Sequence, residues 1–271
     1  MQKVILITAD GTAGLIFTNI LLRCGIRPEK IYLVDSVRGP FIAKLKKAFW
    51  LLARKSPVFL AYKFLVEDLA FRHLVLPGGA LLDFNRIRAE FGCEVETVRD
   101  VNAPDFKARF AAAAGSALAV SAYGTQIFDA ELVGSASVFW NVHGSYLPYF
   151  RGAAPYFWML FKEDAPRGIT VHKVAEKLDS GEIIERKEVL PEPGDTVFTY
   201  HVRCIIEAAR TAGRLIAQGP GPAVTTPDRP SGSSFGGIPA PKDLKALNKA
   251  GKHLFRFSDI PKVRQLVGET F

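Results

Sequence analysis

The chain has 271 residues, of which 48% are hydrophobic and 23% charged, and carries a formal net charge of +8. That balance excludes a globally disordered chain and supplies enough apolar surface for one large domain with a full core. The charge favours an anionic partner, such as a phosphorylated metabolite, a nucleic acid or an anionic membrane surface, and selects none of them.

The first third alternates strand and helix signals. KVILIT is a continuous apolar run of the kind buried on both faces of a parallel sheet. The turn ADGTAG follows, then the helical pattern LIFTNILLRCG, stopped by Gly25. IYLVD and CEVETV read as further strands, PDFKARFAAAA as a helix, and ALAVSAY and SVFWNVH as strands. Strands separated by helices of this length predict an α/β fold with a doubly wound, mostly parallel sheet. Ligands of such sheets lie at the carboxyl ends of the strands, where AYGTQ and NVHGS fall. RGAAPYFWMLFKEDAP predicts a helix, GITVHKV and EIIERKEV paired strands, and TVFTYHVRCIIEAARTAGRLIAQ a long closing helix. The Pro/Gly/Ser-rich run from Gly219 to Pro241 reads as an arm, and the rest of the tail offers one short helix, KDLKALNKAG.

Residues 38–76 fit the alternation poorly. They are basic and aromatic and predict two helices broken before Pro57. An inserted helical hairpin on the core, a lid over an acceptor site and a basic patch on a membrane surface all remain open for them. The cysteines Cys24, Cys93 and Cys204 are dispersed, with no CxxC spacing, which predicts free thiols in a reducing compartment and no zinc site. The N-terminal apolar run is too short for a signal peptide, and no run reaches the ~18–20 apolar residues of a bilayer span. The expected location is the cytoplasm.

The stretch NVHGS places Asn141 and His143 on one side of a strand, with Val142 on the other. An amide and an imidazole side by side at a strand end suit a reaction centre, or else they satisfy loop backbone groups. The segments AYGTQIFDAEL, NVHGSYLPYFRGAAP, GITVHKV and LDSGEII together resemble the folate-dependent formyltransferases, a family that includes glycinamide ribonucleotide, methionyl-tRNA and amino-sugar N-formyltransferases. The family signature is Asn-x-His, Ser-Leu-Leu-Pro, Arg-Gly and Asp-x-Gly. This chain has Asn141, His143, Ser145, Leu147, Pro148, Arg151, Gly152, Asp179 and Gly181 at those positions. The resemblance is strongest over residues 118–195. It implies a Rossmann-like formyltransferase fold, with a catalytic domain over residues 1–218, the inserted helical segment at 38–76 and a short C-terminal extension over 219–271.

By resemblance, Asn141, His143 and Asp179 are the catalytic trio, and 10-formyltetrahydrofolate is the co-substrate, with no metal. Formyl transfer to an amine passes through a tetrahedral carbon bearing an oxyanion. Asn141 can donate a hydrogen bond to that oxygen, worth ~3–4 kcal/mol in comparable sites. His143 can relay a proton, and Asp179 can raise its basicity or order a water. The resemblance places Tyr123, Gly124, Thr125, Gln126, Ile127 and Leu178 along the pterin pocket, and Ser145, Leu147, Pro148, Arg151 and Gly152 in the substrate loop. Ser145 lacks the G-x-S-x-G elbow of a hydrolase nucleophile and is expected to fix that loop. His172, His73, His201 and His253 receive no catalytic role. Phe128, Tyr146 and Gly144 depart from the family's usual Pro, Leu and Pro or Ala, which predicts a changed pocket shape.

RGAAP resembles the loop of the tRNA and amino-sugar enzymes, while the tail is shorter than the β-barrel domain of the tRNA enzymes. The leading expectation is therefore a stand-alone amino-sugar type, acting on a primary amine of a sugar nucleotide or similar anionic metabolite. A tRNA or purine acceptor, and a formyltetrahydrofolate hydrolase, are the alternatives. A nucleic-acid partner is disfavoured but stays open, as do a homodimer and peripheral membrane contact through 38–76. The turn at Gly11 either holds a phosphate at the following helix N-terminus or is a simple tight turn.

Overall fold

The structure is a computed structural model and describes residues 2–34, 56–76, 79–124, 126–163, 165–219 and 235–268. Part of the inserted segment, residues 38–55, and the arm over 220–234 lie outside the described residues.

Seven strands form the main sheet: β1 (Val4–Ala9), β2 (Lys30–Val34), β3 (Glu94–Val98), β4 (Leu118–Ala122), β5 (Val138–His143), β7 (Gly168–Lys173) and β8 (Ile183–Glu188). Their order is β3-β2-β1-β4-β5-β7-β8. The five strands from β3 to β5 are parallel, and β7 and β8 continue the sheet antiparallel. The fold is thus the doubly wound, mostly parallel α/β sheet that the alternation of elements predicts. The short strands β6 (Arg151–Gly152) and β9 (Phe235–Gly236) pair apart from it.

Continuous apolar strands are needed because both sheet faces are covered. Val4 and Leu6 of β1 face the larger core, while Ile5 and Ile7 face the smaller one. The larger core holds α1 (Thr12–Arg23), the long α7 (Val197–Gln218) and α6 (Pro155–Phe161). The smaller one is aromatic and is built on α4 (Pro104–Ala114), with Phe106 4.9 Å edge-on from Tyr32 of β2. The turn between β1 and α1 is very tight. A Cβ on Gly14 would stand 2.0 Å from the Ala9 carbonyl oxygen, so glycine lets the helix start directly behind the strand.

Ser56 caps the described part of the insertion, its hydroxyl accepting from the Phe59 N–H at 3.2 Å, with Pro57 in the first turn. The α2 helix (Pro57–Tyr62) runs on as a π-helix over Lys63–Val75. Glu67, Phe71 and Val75 recur every four residues on its buried face, close to the wider π repeat. Phe64, Leu65, Leu69 and Leu74 are exposed. Helices α3 (Phe84–Phe91) and α5 (Ala130–Gly134) complete the crossovers.

The tail holds two helices, α8 (Pro241–Lys249) and α9 (Asp259–Gly268), where the sequence patterning suggests one. Pro261 stands in the first turn of α9, where its missing N–H breaks no helical bond. Leu244, Leu247, Val263 and Val267 are buried in the larger core. At the start of α7, Thr196 donates to Asp259 at 2.7 Å, while Arg203 and Lys262 flank the buried Asp195 at 2.6 and 3.1 Å. The described part of the extension packs as a component of the main body. Among the described residues no helix is long and apolar enough to cross a membrane.

Candidate active site

A cavity of about 660 Å³ opens at the carboxyl ends of β1, β4 and β5. Asn141, His143 and Asp179 all line it. The first two project from β5 two positions apart, while Val142 between them is buried in the core. Asp179 arrives on the loop that joins β7 to β8. Its φ is +50°, a left-handed conformation uncommon for aspartate, and Arg151 Nη2 secures the turn by donating to its carbonyl oxygen at 2.9 Å.

His143 Nδ1 lies 3.7 Å from Asp179 Oδ1, and its Nε2 is buried with no hydrogen-bond partner. With the Nδ1 proton turned to the carboxylate, Nε2 carries the lone pair. Burial lowers the His143 pKa from its ordinary value, and Asp179 partly offsets this. His143 is therefore a neutral base near pH 7.

His172, which sequence reasoning passed over, completes the centre. It stands opposite Asn141 in the β5–β7 register. Its Nδ1–H donates to the Lys173 carbonyl oxygen at 2.8 Å, which leaves Nε2 to accept from Asn141 Nδ2 at 3.0 Å. One amide N–H of Asn141 is thereby fixed and the other is left for the cavity. Burial, then the proximity of His143, pushes the His172 pKa down to about 4, so it stays an acceptor at neutral pH. The signal in the sequence was the strand pairing, which is legible only once β7 is known to lie beside β5.

Tyr123, Gly124, Gln126, Ile127 and Leu178 of the expected folate pocket line the cavity, and Thr125 lies outside the described residues. Ile127 and Leu178 are 61% and 52% exposed, apolar side chains left at its rim. Gln126 is held by Val101 N–H at 3.1 Å and the Arg99 carbonyl at 2.8 Å. Tyr123 has φ +57° and a buried, unpartnered hydroxyl.

Of the residues expected in a substrate loop, Gly152 lines the cavity. Ser145 and Leu147 are buried inside the loop. Ser145 Oγ donates to the Tyr149 carbonyl at 3.0 Å, and Thr170 ties Ser145 O and Leu147 N at 2.8 and 2.9 Å. Leu147 and Pro148 share a cis peptide bond.

A second polar cluster stands in the same cavity. Glu67 Oε2 lies 3.2 Å from Lys63 Nζ and accepts from Tyr156 OH at 3.4 Å, and Lys63 donates to Tyr156 OH at 3.1 Å. Glu67 Oε1 faces His201 Nδ1 at 3.5 Å with no hydrogen-bond partner. The His201 and Tyr156 rings stack 3.6 Å apart. Burial alone would raise the Glu67 pKa, but Lys63 and His201 outweigh it and hold the carboxyl well below the usual carboxylate range. Sequence reasoning missed this group because its members come from widely separated elements. Among the described residues no set of three or more His, Cys, Asp or Glu side chains is placed to hold a metal ion.

The family model described as formyl transferase matches residues 94–210. The match includes Asn141, His143, His172 and Asp179, and excludes Lys63 and Glu67. A methionyl-tRNA formyltransferase from Desulfotalea psychrophila is 36% identical over 117 residues, covering 42% of this chain and 35% of that protein. The chain thus spans about a third of the length of that curated relative. A sugar N-formyltransferase from Shewanella sp FDAARGOS_354 shares the fold at 18% identity and TM-score 0.53, over 98% of this chain and 87% of that one. A phosphoribosylglycinamide formyltransferase from Streptococcus pneumoniae does so at 14% and 0.53, over 80% and 98%. An N-formyltransferase from Helicobacter canadensis, solved with folinic acid and dTDP-3-aminofucose, does so at 12% and 0.51, over 90% and 72%.

Proposed function

We propose that the protein is a folate-dependent N-formyltransferase that moves the formyl group of 10-formyltetrahydrofolate to a primary amine, with an amino sugar or its nucleotide as the acceptor. The observation that carries this reading is the arrangement of Asn141, His143 and Asp179 around one cavity, with His143 Nε2 left without a hydrogen-bond partner. The matched formyl transferase domain supports the reaction class. The sugar N-formyltransferase neighbours support the acceptor class. The donor's pterin fits the residues present: Tyr123, Gly124 and Gln126 offer a polar edge, and Ile127 and Leu178 an apolar one.

The donor supplies an electrophilic formyl carbon, and the protein's residues do the rest. The second amide N–H of Asn141 is available to negative charge developing on the carbonyl oxygen under attack, and His172 prevents the amide from flipping. The lone pair on His143 Nε2 takes the proton that the amine loses, and the Asp179 carboxylate stabilises the imidazolium formed. The tetrahedral carbon then collapses with cleavage of its bond to the donor's N10, and the proton held on His143 Nε2 passes to that nitrogen, which releases tetrahydrofolate and restores the neutral imidazole.

The test is a single-turnover incubation with 10-formyltetrahydrofolate, following folate product with and without a panel of amino-sugar nucleotides. Product only in the presence of an amine supports transfer. Formate released without an amine would redirect the reading to a hydrolase, and absence of folate binding would refute it.

A further inference from the structure

The cavity differs in charge from the chain as a whole. Among the described residues that line it, one cation, Lys63, stands against the carboxylates of Glu67, Asp68, Glu176 and Asp179. The chain nevertheless carries +8 overall. Two of these carboxylates come from the π-helix of the insertion, and that of Asp68 stands beside the start of α1.

The N-terminus of a helix behind a glycine turn ordinarily suits an anion. Here the anion is built in. Asp68 Oδ1 lies 3.5 Å from the position that a Cβ on Gly11, the N-cap of α1, would occupy. Beside it, Thr12 donates its hydroxyl to the Glu67 carbonyl oxygen, which fastens the π-helix to the first turn of α1. Asp10 is already paired with Arg72 at 2.9 Å. A phosphate placed at this helix start would meet Asp68 directly, with Glu67 one residue away.

Glu67 makes the site more than a charged wall. It is 5% exposed and ionised, Lys63 and Tyr156 occupy its Oε2, and Oε1 faces His201 Nδ1 at 3.5 Å. A buried carboxylate so held keeps its negative charge on the cavity lining, which favours a donor or a cation from a ligand over a second anion. Hydroxyls and ammonium groups supply one, and phosphates at neutral pH do not. Burial also pushes the Asp68 carboxyl up from its ordinary value, against the pull of Lys63, so this carboxylate too gains from a cation or donor placed near it.

We infer that Glu67 and Asp68 select the acceptor: the part of the amine that enters the cavity is a hydroxylated, uncharged or cationic group, and any phosphate it bears stays outside the start of α1. The inference rests on the formyltransferase reading and deepens it. The tight turn at Gly11 thereby takes its second meaning, a close approach with no phosphate in it.

The test compares glucosamine with glucosamine 6-phosphate as acceptors for the full-length protein and its Asp68→Asn and Glu67→Gln variants. The wild type is expected to favour glucosamine in kcat/KM by about tenfold or more, the order set by one like-charge contact in a partly buried site. Asp68→Asn should narrow that ratio several-fold and let inorganic phosphate compete with the acceptor. Glu67→Gln should raise the glucosamine KM while leaving the dissociation constant of the folate donor in place. A wild type that prefers the phosphate ester, a ratio unchanged by Asp68→Asn, or donor binding without use of either amine would overturn the inference. Failure of the underlying reading looks different, since the wild type would then either not bind the folate donor or release formate from it without an amine.

Discussion

Gly181, the glycine of the Asp-x-Gly motif, gives the sharpest test of how the centre is held. A Cβ there would lie 1.7 Å from the Lys173 carbonyl oxygen, 2.7 Å from its carbon and 3.4 Å from His172 Nδ1. Ordinary contact begins near 3.4 Å, so oxygen and methyl must separate by 1.7 Å, the difference 3.4 − 1.7. The carbonyl has little freedom to yield, because the flanking N–H groups of Lys173 and Val174 donate to Glu182 and Phe139 at 2.9 and 2.8 Å. The bond most exposed to the change is His172 Nδ1–H to Lys173 O. Losing it leaves a buried donor unpaired, at about 1–3 kcal/mol. It also frees the ring that orients Asn141, and mis-aiming an oxyanion donor costs ~10²–10³ in turnover. Gly181→Ala is therefore expected to lower single-turnover formyl transfer by about 10²-fold, with a modest fall in melting temperature. The nitrogen-15 spectrum of the His172 ring, which now holds one tautomer, should broaden or shift towards a mixture. Gly134→Ala is the control, since nothing lies within 4 Å of its added Cβ. A Gly181→Ala protein within ~3-fold of wild-type turnover and with an unchanged His172 spectrum would refute this chain of contacts.

Three further outcomes follow from the same geometry. His143→Ala should reduce turnover by ~10²-fold or more with an unchanged circular dichroism spectrum, and near-normal turnover would remove the residue from proton transfer. Asp179→Asn removes the charge that partly offsets burial of His143, so the acid limb of kcat/KM should move to lower pH while the plateau rate falls; a limb displaced to higher pH would contradict the assignment. His172 titrates near 4 when folded and near 6.5 when unfolded, so the unfolded state binds more protons between those values and stability falls as pH drops through that window. The full effect is about 3 kcal/mol. Urea midpoints at pH 7 and pH 4.5 should lie closer together in His172→Gln than in the wild type.

Much of the architecture was legible because both faces of the sheet are covered, which forces runs such as VILITA and LAVSA to be apolar throughout. The positions of Asn141 and His143 followed from strand alternation, and the family resemblance pointed to Asp179. What escaped was whatever depends on pairing between distant segments. His172 is an ordinary strand residue until β7 is known to lie against β5 in the register that sets it opposite Asn141. The Glu67, Tyr156 and His201 cluster draws on a π-helix, α6 and α7, and a π repeat does not stand out in a search for helical periodicity. The lid and membrane-surface alternatives were for residues 38–76, of which 38–55 lie outside the described residues.

The small ladder between β6 and β9 has a bearing on the order of events during synthesis. Arg151, which secures the turn at Asp179, pairs in that ladder with Phe235, and Trp158 just beyond donates to the Gly237 carbonyl at 2.8 Å. A ribosome makes the trio long before it makes these partners, and at ~5–20 residues per second the gap lasts several seconds. A nascent chain can assemble its sheet in that interval while the loop bearing Arg151 still lacks its neighbour. On the formyltransferase reading, competence for chemistry waits for residues 235–237, so that a nascent chain short of them lacks the support of the Arg151 loop.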